Sequence, residues 1–121
     1  MTIDPQDLLI NRVANALSMA SFQHRVIANN IANVGTPGFV RQDVSFERVL
    51  SDLAVSSGAA RVTPNEIRAN ADLKLQASES SEVGLESDML ALSVNTMRYT
   101  TLTRALARYL TIAEAVASAR S

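Results

Sequence analysis

The sequence predicts a mainly α-helical protein in which two long terminal helices pair as an antiparallel coiled coil, or helical hairpin, around a short irregular or β-hairpin insert. Near both ends of the chain, apolar residues recur at alternating steps of three and four, which is the spacing of a coiled-coil contact line. Between them, glycine, proline and serine interrupt the pattern. We therefore divide the chain into residues 1–34, 35–83 and 84–121 of one structural domain.

The composition restricts the possible classes of function. The chain has 121 residues, a formal net charge of −1 and no cysteine. Disulfide frameworks, thiolate metal sites and cysteine nucleophiles are therefore excluded, and the charge argues against a nucleic-acid-binding protein. No apolar run approaches the roughly 18 residues of a membrane span. The N-terminus also lacks the basic and apolar regions of a cleavable signal peptide, so any export is expected to use another route.

The first helix is predicted from about Asp4 to Asn33. Asp4 is a suitable N-cap residue, and Pro5 fits the first helical position because its missing amide donor is not needed there. Pro37 and Gly38 end the helix, because Thr36-Pro37-Gly38 favours a turn. The predicted contact line, or seam, of this helix contains Ile10, Val13, Leu17, Ala20, His24, Ile27 and Ile31.

The insert is predicted to contain a short helix near residues 45–54, with Ser45 as its N-cap. Ala60–Thr63 and Leu73–Ala77 are predicted as two short strands of a β-hairpin, since apolar and polar residues alternate in the second segment. The hairpin would need the helices or a partner to stabilise it.

The last helix is predicted from about Leu85 to Ala119, with Gly84 as its N-cap. Its length, without internal glycine or proline, favours a coiled-coil arm whose apolar line packs on another helix. The predicted seam contains Leu92, Tyr99, Leu102, Leu106, Tyr109, Ala113 and Val116.

Few residues suggest chemistry. His24 is the sole histidine, and a catalytic or zinc-binding histidine needs companions that the sequence does not supply. The carboxylates of Glu79 and Glu82 fit a polar linker, whereas Glu86 and Asp88 fit the start of a helix, where the dipole favours anions. We therefore predict that the protein is not an enzyme and binds no cofactor, metal, nucleic acid or small-molecule substrate. A hydrolase hypothesis would rest on His24 alone.

Two asparagines near the end of the first helix are unusual. A helix cap followed by a turn accounts for Asn33, Gly35 and the Pro-Gly pair. Asn29 and Asn30 lie inside the last helical turns, where asparagine has a low helix propensity. Buried amides that bind neighbouring subunits would explain them.

The segment Ala28–Phe39 resembles the signature of the bacterial flagellar rod and hook proteins, and its order and spacing make the resemblance specific. Arg41–Glu47, Gly84–Met89 and Asn95–Tyr99 are similar to elements of the proximal-rod members of this family. The resemblance identifies a candidate assembly motif of Asn29, Asn30, Ile31, Ala32, Asn33, Thr36, Pro37, Gly38 and Phe39.

The resemblance implies a structural subunit of the rod, which links the inner-membrane ring to the distal rod and hook across the periplasm. Its terminal helices would pack into a helical tube with copies of itself and other rod proteins, next to the protein at the ring–rod junction. Family members are exported unfolded through the flagellar type III apparatus without a cleaved signal. The expected export-gate element is Phe46 to Leu50, although Phe22 to Val26 has the same spacing.

Two alternatives remain open. A second type of proximal-rod protein shares the architecture, but its segment after the asparagines usually differs from Thr36–Phe39. The heptads alone also allow a cytoplasmic export chaperone or adaptor that binds partner helices.

Overall fold

The computed structural model describes residues 5–57, 62–77 and 84–120. Within these residues the chain forms four helices and a two-stranded sheet, so the predicted mainly α-helical class with two long terminal helices is confirmed. The elements in chain order are α1 (Pro5–Ala32), β1 (Gln42–Asp43), α2 (Phe46–Ser57), α3 (Pro64–Leu73), β2 (Gln76–Ala77) and α4 (Leu85–Arg120).

The terminal helices α1 and α4 pack together along much of their length. They contain 28 and 36 residues, which corresponds to about 42 and 54 Å at 1.5 Å per residue. Asn95 of α4 donates a hydrogen bond to the carbonyl of Ala20 on α1, and Ile27 lines one groove together with Ala91. Residue numbers thus fall along α1 as they rise along α4, so the pair is antiparallel.

A second face of α1 packs on the insert. Met19 is completely buried against α2 and α3. The buried core around it contains Val44, Val49, Leu53, Val62, Ile67 and Ala71. Because α1 is apolar on both faces, it lies between α4 and the insert, and the insert has a core of its own.

The predicted β-hairpin is correct only at its end, where β2 lies within the second predicted strand, Leu73–Ala77. Between the two predicted strands the chain forms the helix α3. Thr63, placed in a strand by the prediction, is the N-cap of α3, and its hydroxyl accepts a hydrogen bond from the Glu66 amide at 3.2 Å. Leu73 is the last residue of that helix. The helix forms because Ile67 and Ala71, one turn apart, are both buried on the core. Residues 60 and 61 of the first predicted strand lie outside the described residues.

The two strands pair across the insert instead of within a local hairpin. They are antiparallel, with Gln42 opposite Ala77 and Asp43 opposite Gln76. The sheet therefore joins the beginning of the insert to its end, and α2 and α3 lie between the strands in sequence. Leu75, immediately before β2, packs against the core.

The helix starts agree with the sequence where they are described. The Ser45 hydroxyl accepts a hydrogen bond from the Arg48 amide at 3.3 Å, as expected of an N-cap, although α2 continues beyond the predicted end to Ser57. The Gly84 carbonyl accepts a bond from the Asp88 amide at the start of α4. Asp4, the predicted cap of α1, lies outside the described residues. The division of the chain at residues 34 and 83 stays a prediction.

Candidate assembly site

The end of α1 is closed by a network of short-range hydrogen bonds. The Asn33 side-chain amide donates to the Asn29 carbonyl at 2.8 Å, and the Thr36 hydroxyl donates to Asn33 Oδ1 at 3.2 Å. The Phe39 amide then donates to the Thr36 carbonyl, which completes the turn. Gly38 has a φ of +79°, a conformation that residues with a Cβ rarely adopt. The polar and glycine positions of the candidate motif therefore determine the direction in which the chain leaves α1.

Contacts within the chain account for the position of Asn30 in the helix, and no neighbouring subunit is needed. Its side chain is buried, its Nδ2 donates to the Gln42 carbonyl at 2.8 Å, and its Oδ1 accepts from the Gln42 amide at 3.1 Å. The side-chain amide thus pairs with the backbone of β1 as a strand would. The hypothesis that the Asn30 amide binds a neighbouring subunit is therefore replaced by this contact within the chain. Asn29, in contrast, is exposed.

The segment after the turn is also attached to α4. Arg41 forms an ion pair with Asp88, which is 3% exposed. A buried carboxylate needs a charged or hydrogen-bonding partner, because its desolvation is costly. Together, Arg41 and Asn30 fix this segment between the end of α1 and the beginning of α4.

Three residues of the sequence-predicted seams are exposed: His24, Tyr99, which is 46% exposed, and Val116, which is 42% exposed. Ala20 and Ile27 are buried. The other predicted seam residues are half-buried: Ile10, Val13, Leu17, Ile31, Leu92, Leu102, Leu106, Tyr109 and Ala113.

Sequence reasoning missed two polar seam residues. Asp88 and Asn95 are each 3% exposed, yet neither was included in the apolar line of α4. The three–four spacing passes through both positions, since it connects Asp88 to Leu92 and then to Asn95. The heptad spacing is therefore the signal for both residues, although their polar side chains do not fit an apolar contact line.

The predicted export element lies at the start of α2, in contact with α4. The Arg98 guanidinium is 4.2 Å from the centroid of the Phe46 ring, and its Nη2 lies 3.5 Å from Glu47 Oε1. Phe46 and Leu50 are both half-buried and pack against the core of the insert. In the folded chain the element is therefore part of the packed structure.

The helix α4 also exposes an apolar line at the edge of its contact with α1. Leu90 is 67% exposed and Met97 is 69% exposed. Val94, between them, is also exposed, so the three residues follow the four–three spacing of one helix face. We call these three residues the outer line. Contiguous exposed apolar side chains of this kind mark interaction surfaces.

The described residues show little sign of metal chemistry or membrane insertion. No group of three or more His, Cys, Asp or Glu side chains among them is arranged to bind a metal ion. The described helices also include none with the length and apolar character of a membrane span.

Comparison with known proteins gives a match to one family profile and to two curated relatives. A family profile described as "Flagella basal body rod protein" matches residues 10–39, which contain most of α1 and the turn. The flagellar basal body rod protein FlgB of Bacillus subtilis is 46% identical over 41 residues, which cover 34% of this chain and 32% of that protein. FlgB of Aeromonas hydrophila is 37% identical over 51 residues, which cover 42% and 39%.

The chain therefore spans between about a third and two fifths of the length of these curated relatives in the matched regions. No solved structure gives a significant match. The residues that the family profile matches contain the hydrogen-bonded turn and its asparagines. The family match and the two relatives show that part of the chain is similar to flagellar basal-body rod proteins, with FlgB among them.

Proposed function

We propose that the protein is a structural subunit of the proximal rod of the bacterial flagellum and assembles with copies of itself and with other rod proteins. The outer line of α4 is the observation that supports this most directly. A chain that functioned alone would gain nothing from Leu90, Val94 and Met97 in water, whereas a helical tube would bury them between subunits.

The proposal includes the export route of the subunit and its neighbours in the assembled rod. The chain is exported through the flagellar type III apparatus without a cleaved signal peptide, and the export gate recognises Phe46 and Leu50 while the chain is unfolded. The assembled rod links the inner-membrane ring to the distal rod and hook, and the junction protein of that ring is the neighbour at its base. The role is mechanical, in cell motility, and involves no catalysis.

A charge in the outer line tests the proposal. In the bacterium that encodes this chain, Met97→Asp replaces the native copy, and swimming and basal-body structure are examined. We expect loss of swimming and incomplete rods, because a carboxylate would be buried between subunits without a partner. The purified variant keeps its helical circular dichroism, since Met97 is exposed in the single chain.

Thr103→Asp is the matched control. Thr103 is also exposed on α4 but is not three or four residues from any member of the outer line, so the same carboxylate is expected to leave swimming intact. Normal swimming and complete rods with Met97→Asp would refute the proposal.

A cytoplasmic export chaperone or adaptor is the alternative from a different class, because paired amphipathic helices also bind partner helices. Cell fractionation distinguishes the two. A rod subunit purifies with detergent-extracted basal bodies, whereas a chaperone stays in the cytosolic fraction. Within the rod family, the sister protein FlgC is the other candidate, and the two FlgB relatives favour FlgB.

A further inference from the structure

The apolar contacts of α4 repeat too regularly to define how the helix aligns with α1. Asp88, Asn95, Leu102, Tyr109 and Val116 occupy the same position of successive heptads. From Leu102 onward this position is mainly apolar, with Leu102, Tyr109 and Val116. A displacement of α4 by one heptad would therefore again place apolar residues on the α1 seam.

The observed alignment also leaves apolar side chains uncovered. Asn95 lies against Ala20, so Pro5, about fifteen residues along α1, lies opposite Leu110. Val116 is exposed. A displacement that brought Leu102 against Ala20 would move Val116 to the place of Tyr109, which is half-buried. Burial of apolar surface alone thus does not select the observed alignment.

Polar contacts favour the observed alignment instead. The Asn95 amide donates to the Ala20 carbonyl at 2.8 Å in a buried position. The ion pair of Asp88 with Arg41 requires the same alignment. In the displaced alignment Leu102 would replace Asn95 at Ala20, and Asp88 would lose Arg41. Both changes are unfavourable, because each removes the partner of a buried polar group.

These residues do not optimise stability. Among the described residues, Asn95 Oδ1 and Asp88 Oδ2 are buried without a hydrogen-bond partner. An apolar residue of similar size at Asn95 would have no such unmet acceptor. A buried asparagine at a coiled-coil contact position is known to select one alignment at the expense of stability.

We propose that Asn95 and the Asp88–Arg41 pair determine the register in which α4 pairs with α1, and thereby how far the end of α4 extends beyond Pro5. The proposal concerns the single chain. Its test uses no motility or assembly measurement, so it can succeed or fail independently of the rod function.

Spin-label distances in the purified full chain measure the register directly. The sequence has no cysteine, so Arg12→Cys on α1 and Ser93→Cys on α4 give two labels at exposed positions. Double electron–electron resonance is expected to show one distance population in this background. Adding Asn95→Leu is expected to produce a second population displaced by about 10 Å, the rise of seven helical residues, while the urea midpoint stays equal or increases.

Thr96→Leu is the matched control, because it introduces the same leucine at the next, exposed position; it is expected to keep one distance. Asp88→Leu combined with Arg41→Leu removes the ion pair without leaving a charge and is also expected to add the second population. If Asn95→Leu loses its helical circular dichroism, the distances measured in the double variant test the register proposal in its place. A single native distance in the folded variants, or the same splitting with Thr96→Leu, would overturn the proposal.

Discussion

At the scale of single residues, the amide of Asn30 connects two kinds of secondary structure. It occupies a helical position, but it presents a donor and an acceptor to the backbone of Gln42 in the same way as a peptide group. Asparagine is the side chain that provides both groups at this short reach. Its poor helix propensity is therefore offset by a contact twelve residues away.

Replacing Asn30 with alanine is expected to destabilise the chain by about 1–3 kcal/mol, because two hydrogen bonds are lost and the Gln42 backbone groups are left without their partner. Urea unfolding of the purified protein measures the change. Asn29→Ala is the matched control, since Asn29 is exposed one residue earlier, and its effect is expected within about 0.5 kcal/mol. Equal effects of the two variants would contradict the role assigned to Asn30.

At the scale of elements, the insert is a packed unit and not a flap. The helices α2 and α3 cover one face of α1, and Leu53 contributes to their common core. Leu73, at the end of α3, is 85% exposed. The effect of removing a leucine side chain can therefore be compared between the buried Leu53 and the exposed Leu73.

Leu53→Ala is expected to cost about 2–5 kcal/mol of unfolding free energy, since it removes buried methyl groups and leaves a cavity. Leu73→Ala is expected to change stability by less than about 0.5 kcal/mol. Thermal or urea unfolding measures both. A small loss for Leu53→Ala would mean that the core of the insert is not closely packed.

The sequence predicts the helices correctly where the apolar spacing repeats over many consecutive turns. The seams and the turn signals at Pro37 and Gly84 predicted both terminal helices, because many turns repeat the same spacing. The prediction failed at α3, a helix of ten residues, where the alternation around Leu73 resembled a strand. Thr63 and Glu66 have the spacing of a capping box, which outweighs that short alternation.

The candidate site was predicted only in part, for a different physical reason. The asparagine-rich turn is encoded in adjacent residues and was visible in the sequence. The contacts of Asn30 with Gln42, and of Asp88 with Arg41, depend on which elements meet in the folded chain. No local pattern specifies the partner of a buried polar side chain, so these contacts were found only in the structure.

At the scale of the whole molecule, the fold covers the segment proposed for export. Phe46 packs beneath Arg98 of α4 and against the insert core. Recognition of Phe46 by the export gate therefore requires the chain before this packing has formed. A substitution of Phe46 also affects the stability of the folded chain. A test of export recognition therefore needs a control substitution of a second aromatic residue in the same core.

Phe46→Ala is expected to lower the amount of protein exported by a flagellated strain, measured as the extracellular or basal-body fraction relative to the total. Phe22→Ala is the matched control, because Phe22 is also half-buried against the same core. Loss of packing alone would affect both variants equally. If only Phe22→Ala reduced export, the export-gate element would be Phe22–Val26. If both variants were exported equally, the proposal that the export gate recognises Phe46 would be refuted.

The pairing of the terminal helices has a consequence for the order of folding. The hydrogen bond from Asn95 to Ala20 closes a separation of 75 residues, whereas Met19 and Val49 in the core of the insert are less than half as far apart in the sequence. Long loops cost more entropy and form contacts more slowly. We therefore expect the insert to fold on α1 first, leaving one side of α1 open until α4 arrives. On that order of folding, the open side of α1 would be accessible to another helix until α4 pairs with it.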